Sequence, residues 1–126
     1  MEKVVVKTDK APAALGPYSA GIRAGDFVFT AGQIPVDPAT GTMADTIEAQ
    51  TRQSLSNVKA ILEAAGTDLA HVVKTTVFLK NMGDFAAMNG VYAEFFTGDC
   101  PARSAVEVAC LPKNAMVEIE AVALVP

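Results

Sequence analysis

A chain of 126 residues has room for one hydrophobic core, so its chemistry rests on a single domain spanning 1–126 or on copies of it. A net charge of -4 with no basic run argues against general affinity for nucleic acid or anionic membrane, because phosphate binding is driven by clustered Lys and Arg. Apolar residues make up 51% of the chain, more greasy surface than a small domain buries, which predicts that part of it lies in a subunit interface.

In chain order, Met1 to Lys10 lacks the apolar core and cleavage site of a secretory signal, and no later segment reaches the ~18 apolar residues that span a bilayer. A cytoplasmic location without a membrane partner is expected. Val4 to Lys7 reads as a short strand, and Ala11 to Pro17, with two prolines and a glycine, as an irregular loop leading to Tyr18. Ser19 to Ala24 and Asp26 to Gln33 form a predicted hairpin around Gly25, followed by a loop marked by Pro35, Pro38 and Gly41. From Asp45, the residues Ile47, Thr51, Leu55, Val58, Leu62 and Ala65 recur at helical steps, with Asp45 and Glu48 as a capping-box-like start and Gly66 as the stop.

His71, the sole histidine, reads as structural at the start of a strand from Val72 to Lys80. Asp84 then caps a second predicted helix bearing Phe85, Met88, Tyr92 and Phe95 on one face, and Gly98 ends it. Gly90 costs stability there, so close packing against it is expected. Cys100 and Cys110 read as reduced thiols that behave as small buried hydrophobes. With one histidine and no paired CxxC or HExxH, no metal site is expected. Two strands close the chain, Ala102 to Cys110 and Met116 to Val125, joined by a turn at Pro112, Lys113 and Asn114.

Two helices among about six strands can cover one face of a sheet, and burying the other against another copy is the simplest solution. In the last strand Val117, Ile119, Ala121, Ala123 and Val125 suit the helix-covered side, which turns Glu118 and Glu120 to the bare one. The preceding strand divides into Ser104, Val106, Val108 and Cys110 against Arg103, Ala105, Glu107 and Ala109. If the apolar sets share the core, Arg103 and Glu107 join Glu118 and Glu120 on the bare face. There Arg103 either forks a small carboxylate or pairs with one of the glutamates.

Several stretches together resemble one family, the reactive intermediate deaminase A (RidA, also YjgF) proteins, formerly labelled L-PSP endoribonucleases or translation inhibitors. They are APAALGPYSAG from Ala11, FTAGQIPVDPATG from Phe29, QTRQSLSNVKAILEAAG from Gln50, VKTTVFL from Val73 and PARSAVEVACLPKNAMVEIEA from Pro101. The resemblance implies a chorismate-mutase-like α+β fold with a mixed sheet, assembled as a homotrimer whose sheets form an inner barrel with clefts at the subunit boundaries. It implies hydrolysis of the imine forms of 2-aminoacrylate and 2-aminocrotonate to 2-oxo acids and ammonia, with no cofactor. These acids leak from pyridoxal-phosphate-dependent dehydratases, the implied functional partners.

Carried onto this chain, the resemblance makes Arg103 the clamp for the substrate carboxylate, Glu118 the group that orients or protonates water and imine, and Tyr18 a border of the pocket. Gly32 and Asn89 match cleft-lining positions. Ala31 and Ala105 stand where many members have Ser and Cys, so no thiol attacks at 105, and Ala105 is expected to serve through its backbone N–H and C=O. Two rivals remain. A ribonuclease or translation inhibitor fits poorly with a single histidine and an acidic surface. A non-catalytic keto-acid sensor would use the same Arg103.

Overall fold

Two-residue alternation in six short segments and helical spacing in two longer ones give six strands and two helices in the computed structural model, which describes residues 2–126. The strands are β1 (Lys3–Val6), β2 (Gly21–Ala24), β3 (Phe27–Thr30), β4 (Val72–Leu79), β5 (Ala102–Glu107) and β6 (Val117–Leu124). The helices are α1 (Ile47–Ala64), between β3 and β4, and α2 (Phe85–Phe95), between β4 and β5. They build one six-stranded mixed sheet in the order β1-β2-β3-β6-β4-β5. Only β4 and β5 pair in parallel, and α2 supplies the crossover that a parallel pair requires.

Both helices lie on one face of this sheet, as expected. Val117, Ile119, Ala121 and Ala123 of β6 are buried in one core with Leu55, Val58 and Leu62 of α1 and Met88 and Tyr92 of α2. Gly21 permits the approach of α1, since a Cβ there would stand 2.7 Å from Ile61 Cγ2. The opposite face is also apolar: Phe27 pairs with Leu124 and Phe29 with Val122 across β3 and β6, and Phe27, Phe29, Val106 and Leu124 are exposed in the single chain.

Several local expectations need correction. Thr46, not Asp45, caps α1, its Oγ1 accepting from the Ala49 N–H at 3.2 Å. Gly66 stops the helix at φ 89°, as expected. Asp84 stands at the start of α2 without a side-chain cap bond, because a 3-10 turn from Met82 to Asp84 runs directly into the helix. Both cysteines are exposed, since they lie outside the strands, on either side of β5. β3 ends at Thr30, and Gln33 rejoins β6 by mutual backbone bonds with Ile119 at 2.8 and 3.2 Å, so Ala31 and Gly32 bow out between them.

Gly90 is not a packing glycine, for a Cβ there would meet nothing within 4 Å. Gly90→Ala is therefore expected to stabilise the protein by about 0.5–1 kcal/mol, because alanine loses less backbone entropy in a helix. Denaturant unfolding at matched protein concentration measures it, and an unchanged or lowered midpoint would count against an open position.

Candidate active site

Arg103 sits on β5, the edge strand, directly beside Thr75 of β4 in the parallel register. Residues so paired point to the same face, and Thr75 faces the core, its Oγ1 2.7 Å from the Tyr92 hydroxyl. Arg103 therefore points beneath α2 and not, as strand parity suggested, to the bare face with Glu118. Parity misleads here because both faces of this sheet carry large apolar residues, so Val106 does not reveal which side holds the core. Glu107 follows Arg103 to the helix side, where its carboxylate accepts from the Met82 N–H at 2.8 Å.

The α2 face above Arg103 is built by Phe85, Asn89 and Tyr92, which helical spacing stacks on one side. The guanidinium Cζ lies 4.7 Å from the Tyr92 ring centroid and 5.4 Å from that of Phe85. Nη1 donates to Asn89 Oδ1 at 2.7 Å. Burial pushes the Tyr92 hydroxyl above its ordinary pKa, against the pull of the Thr75 hydrogen bond and the Arg103 charge, so the ring under the cation stays neutral.

Among the described residues no carboxylate pairs with Arg103; the ion pairs are Arg52–Glu94 at 3.0 Å and His71–Asp68 at 2.7 Å. Within one chain, then, Arg103 is not tied to a glutamate. A half-buried guanidinium is held by two π faces and one amide oxygen, with its other N–H donors unspent. Beside it, the Val108 N–H donates to Leu79 O at 2.9 Å. The two-residue alternation then turns the N–H and C=O of Arg103 and Ala105 away from β4, to the open sheet edge. The Ala105 methyl packs on the core, leaving its backbone as the part that can meet a ligand.

Glu118 lies on β6 on the opposite face, since its neighbours Val117 and Ile119 are fully buried under the helices. The bowed segment after β3 closes over it: a Cβ at Gly32 would stand 2.8 Å from Glu118 Cδ and 2.9 Å from Oε1. Only glycine leaves that carboxyl where it is. Burial first, and the charge of Glu120 second, raise the Glu118 pKa above the usual carboxylate range. Among the described residues it has no ion-pair partner. Tyr18 is more than half exposed and lines a cavity of 370 Å³ with Gly32, Gln33, Pro112 and Lys113.

The anticipated residues thus fall into two sets on one chain. Arg103, Asn89 and Ala105 gather under α2, whereas Glu118 and Gly32 meet on the other side of the sheet, with Tyr18 beside Gly32. In the sequence Phe85, Tyr92 and Thr75 stand only as apolar stripe and strand residues. Their signal is present in the spacing of Phe85, Asn89 and Tyr92, but strand parity turns the Arg103 they receive to the other face. His71 Nδ1 lies 2.7 Å from Asp68 Oδ1, a hydrogen bond that holds the Asp68 carboxyl below its usual range. No helix among the described residues is long and apolar enough to cross a membrane.

Sequence and fold both have close counterparts among known proteins. The family model described as Endoribonuclease L-PSP matches residues 8–125. The 2-iminobutanoate/2-iminopropanoate deaminase of Salmonella typhimurium is 56% identical over 122 residues, covering 94% of this chain and 95% of that protein. A RutC family protein of Pyrococcus horikoshii is 58% identical, covering 96% of this chain and 97% of its own length. Among solved structures, Escherichia coli TdcF with bound serine superposes with a TM-score of 0.94 at 47% identity, covering 96% of this chain and 98% of that one. A conserved Rid family protein of Yersinia pestis superposes with a TM-score of 0.96 at 47% identity, covering 98% of this chain and 100% of that one. Sheet order, helix placement and near-complete matches to sequences and structures agree, and the chain belongs to the reactive intermediate deaminase (RidA/YjgF) family, whose model carries the description Endoribonuclease L-PSP.

Proposed function

We propose that the protein is a 2-iminobutanoate/2-iminopropanoate deaminase. It hydrolyses the imines of 2-aminocrotonate and 2-aminoacrylate to 2-oxo acids and ammonia. The observation that carries the reading is the charged, partly buried Arg103, which no carboxylate of its own chain satisfies and which presents a planar fork beside the open backbone of Ala105.

Because Glu118 lies on the other face of the same sheet, one chain supplies only half of the required groups. In this reading the chains assemble as a homotrimer, the bare apolar faces pack into an inner barrel, and the Arg103 set of one subunit meets the Glu118, Gly32 and Tyr18 set of the next. The exposed Phe27, Phe29, Val106 and Leu124 support such packing.

The chemistry follows from the two half-sites. Arg103 and the Ala105 N–H bind the substrate carboxylate, and Asn89 steadies the guanidinium. The Glu118 carboxylate takes a proton from water as the oxygen bonds to the C=N carbon. The π pair moves to nitrogen, which receives that proton. Glu118 next takes the carbinolamine hydroxyl proton and passes it to the amino nitrogen, and ammonia leaves as the carbon–oxygen double bond forms. A raised pKa suits Glu118 to this shuttle, since a base nearer the working pH holds the proton better. The imine carbon is already electrophilic, so positioning and one proton relay meet the need.

Substrate would come from pyridoxal-phosphate-dependent dehydratases in the cytoplasm. The test is to generate 2-aminoacrylate in situ with such a dehydratase and follow pyruvate release. Added protein is expected to accelerate release in proportion to its concentration. Unaccelerated release alongside retained 2-oxobutanoate binding would instead make it a keto-acid sensor.

A further inference from the structure

Thr75, Tyr92 and Arg103 close a small circuit that the proton relay does not use. Thr75 and Arg103 stand side by side in the β4–β5 register. The Thr75 hydroxyl meets the buried Tyr92 hydroxyl at 2.7 Å, and the Tyr92 ring lies 4.7 Å from the guanidinium carbon of Arg103. The phenol is thus pinned at its tip by the strand that also carries the arginine's neighbour. Its ring packs on Phe96 at a centroid distance of 4.6 Å, which leaves it little freedom to tilt.

An unpaired arginine on an edge strand would ordinarily sample several rotamers and lose entropy on meeting a ligand. Here the rings of Tyr92 and Phe85 and the Asn89 oxygen hold it before any ligand arrives. We infer that Tyr92, locked by Thr75, is a positioning residue that fixes the orientation of the Arg103 guanidinium and so sets affinity for the substrate carboxylate. This rests on the reading of Arg103 as the carboxylate clamp. Tyr92 touches no reacting atom, and its effect belongs in binding and KM, with kcat largely kept.

The test uses the intact protein and 2-oxobutanoate as the stable probe, with affinity measured by calorimetry and steady-state constants measured in parallel. Tyr92→Leu removes the π face and is expected to weaken binding roughly tenfold. Thr75→Val keeps the volume, leaves the phenol unpinned and is expected to cost about three- to fivefold. Because Tyr92 is a core residue, Thr75→Val serves if the leucine variant does not fold. In an Arg103→Ala background neither change should weaken binding further, a coupling that general loosening of the core would not produce. Wild-type affinity in both folded variants, with Arg103→Ala defective, would overturn the positioning role alone. Wild-type affinity in Arg103→Ala would overturn the clamp reading beneath it.

Discussion

Arg103→Ala is expected to lower kcat/KM for imine hydrolysis at least a hundredfold, corresponding to about 3 kcal/mol for two charge-assisted hydrogen bonds lost together. The fold should survive, because Arg103 is only partly buried and makes no ion pair within the chain. Removing it exposes a polar edge rather than orphaning a buried charge. Arg103→Lys should recover only part of the loss, since an ammonium keeps the charge but cannot present the planar fork or lie flat over Tyr92 and Phe85. Kinetics of the coupled dehydratase reaction, with thermal melting as the check on folding, measure both. A lysine variant as active as wild type would reduce the role of Arg103 to charge alone.

Glu118→Gln is expected to lower the accelerated rate about a hundredfold at neutral pH, the ordinary contribution of a positioned acid–base group. Its pH dependence gives a second readout. Burial and the charge of Glu120 raise the Glu118 pKa, so protonation sets in at higher pH than for a free carboxylate. As base, Glu118 must start ionised. Activity relative to the spontaneous reaction should therefore hold above that raised pKa and fall as pH drops through it. In Glu118→Gln that acid limb should vanish from the residual rate. A limb that persists unchanged would assign the titration to another group.

Sequence reading found the strands, the helices and the side the helices cover, because β6 separates its faces cleanly: Val117, Ile119, Ala121 and Ala123 are buried and Glu118 and Glu120 are not. It could not place Arg103. On the edge strand β5 the inward positions are Arg103, Ala105 and Glu107 and the outward ones include Val106, the reverse of the rule that apolar residues face the core. That inversion is physical. The rim under α2 is lined by aromatic rings and an amide that suit a cation, and the bare face carries Phe27, Phe29, Val106 and Leu124 beside Glu118 and Glu120. The approach of Gly32 to Glu118 was likewise hidden, because it depends on the bow between Thr30 and Gln33, which no local propensity specifies.

Arg103 and Glu118 lie on opposite faces of one sheet, so in the proposed enzyme they act only when two chains meet. Subunit complementation tests it most directly. Arg103→Ala and Glu118→Gln chains are each assembled alone, then co-assembled in equal amounts, and 2-aminoacrylate hydrolysis is measured. Each alone is expected to show near-zero activity and the mixture about one quarter of the wild-type rate, since each cleft draws its two residues independently from two kinds of chain. Mixed oligomers that form and stay as inactive as their parents would contradict it.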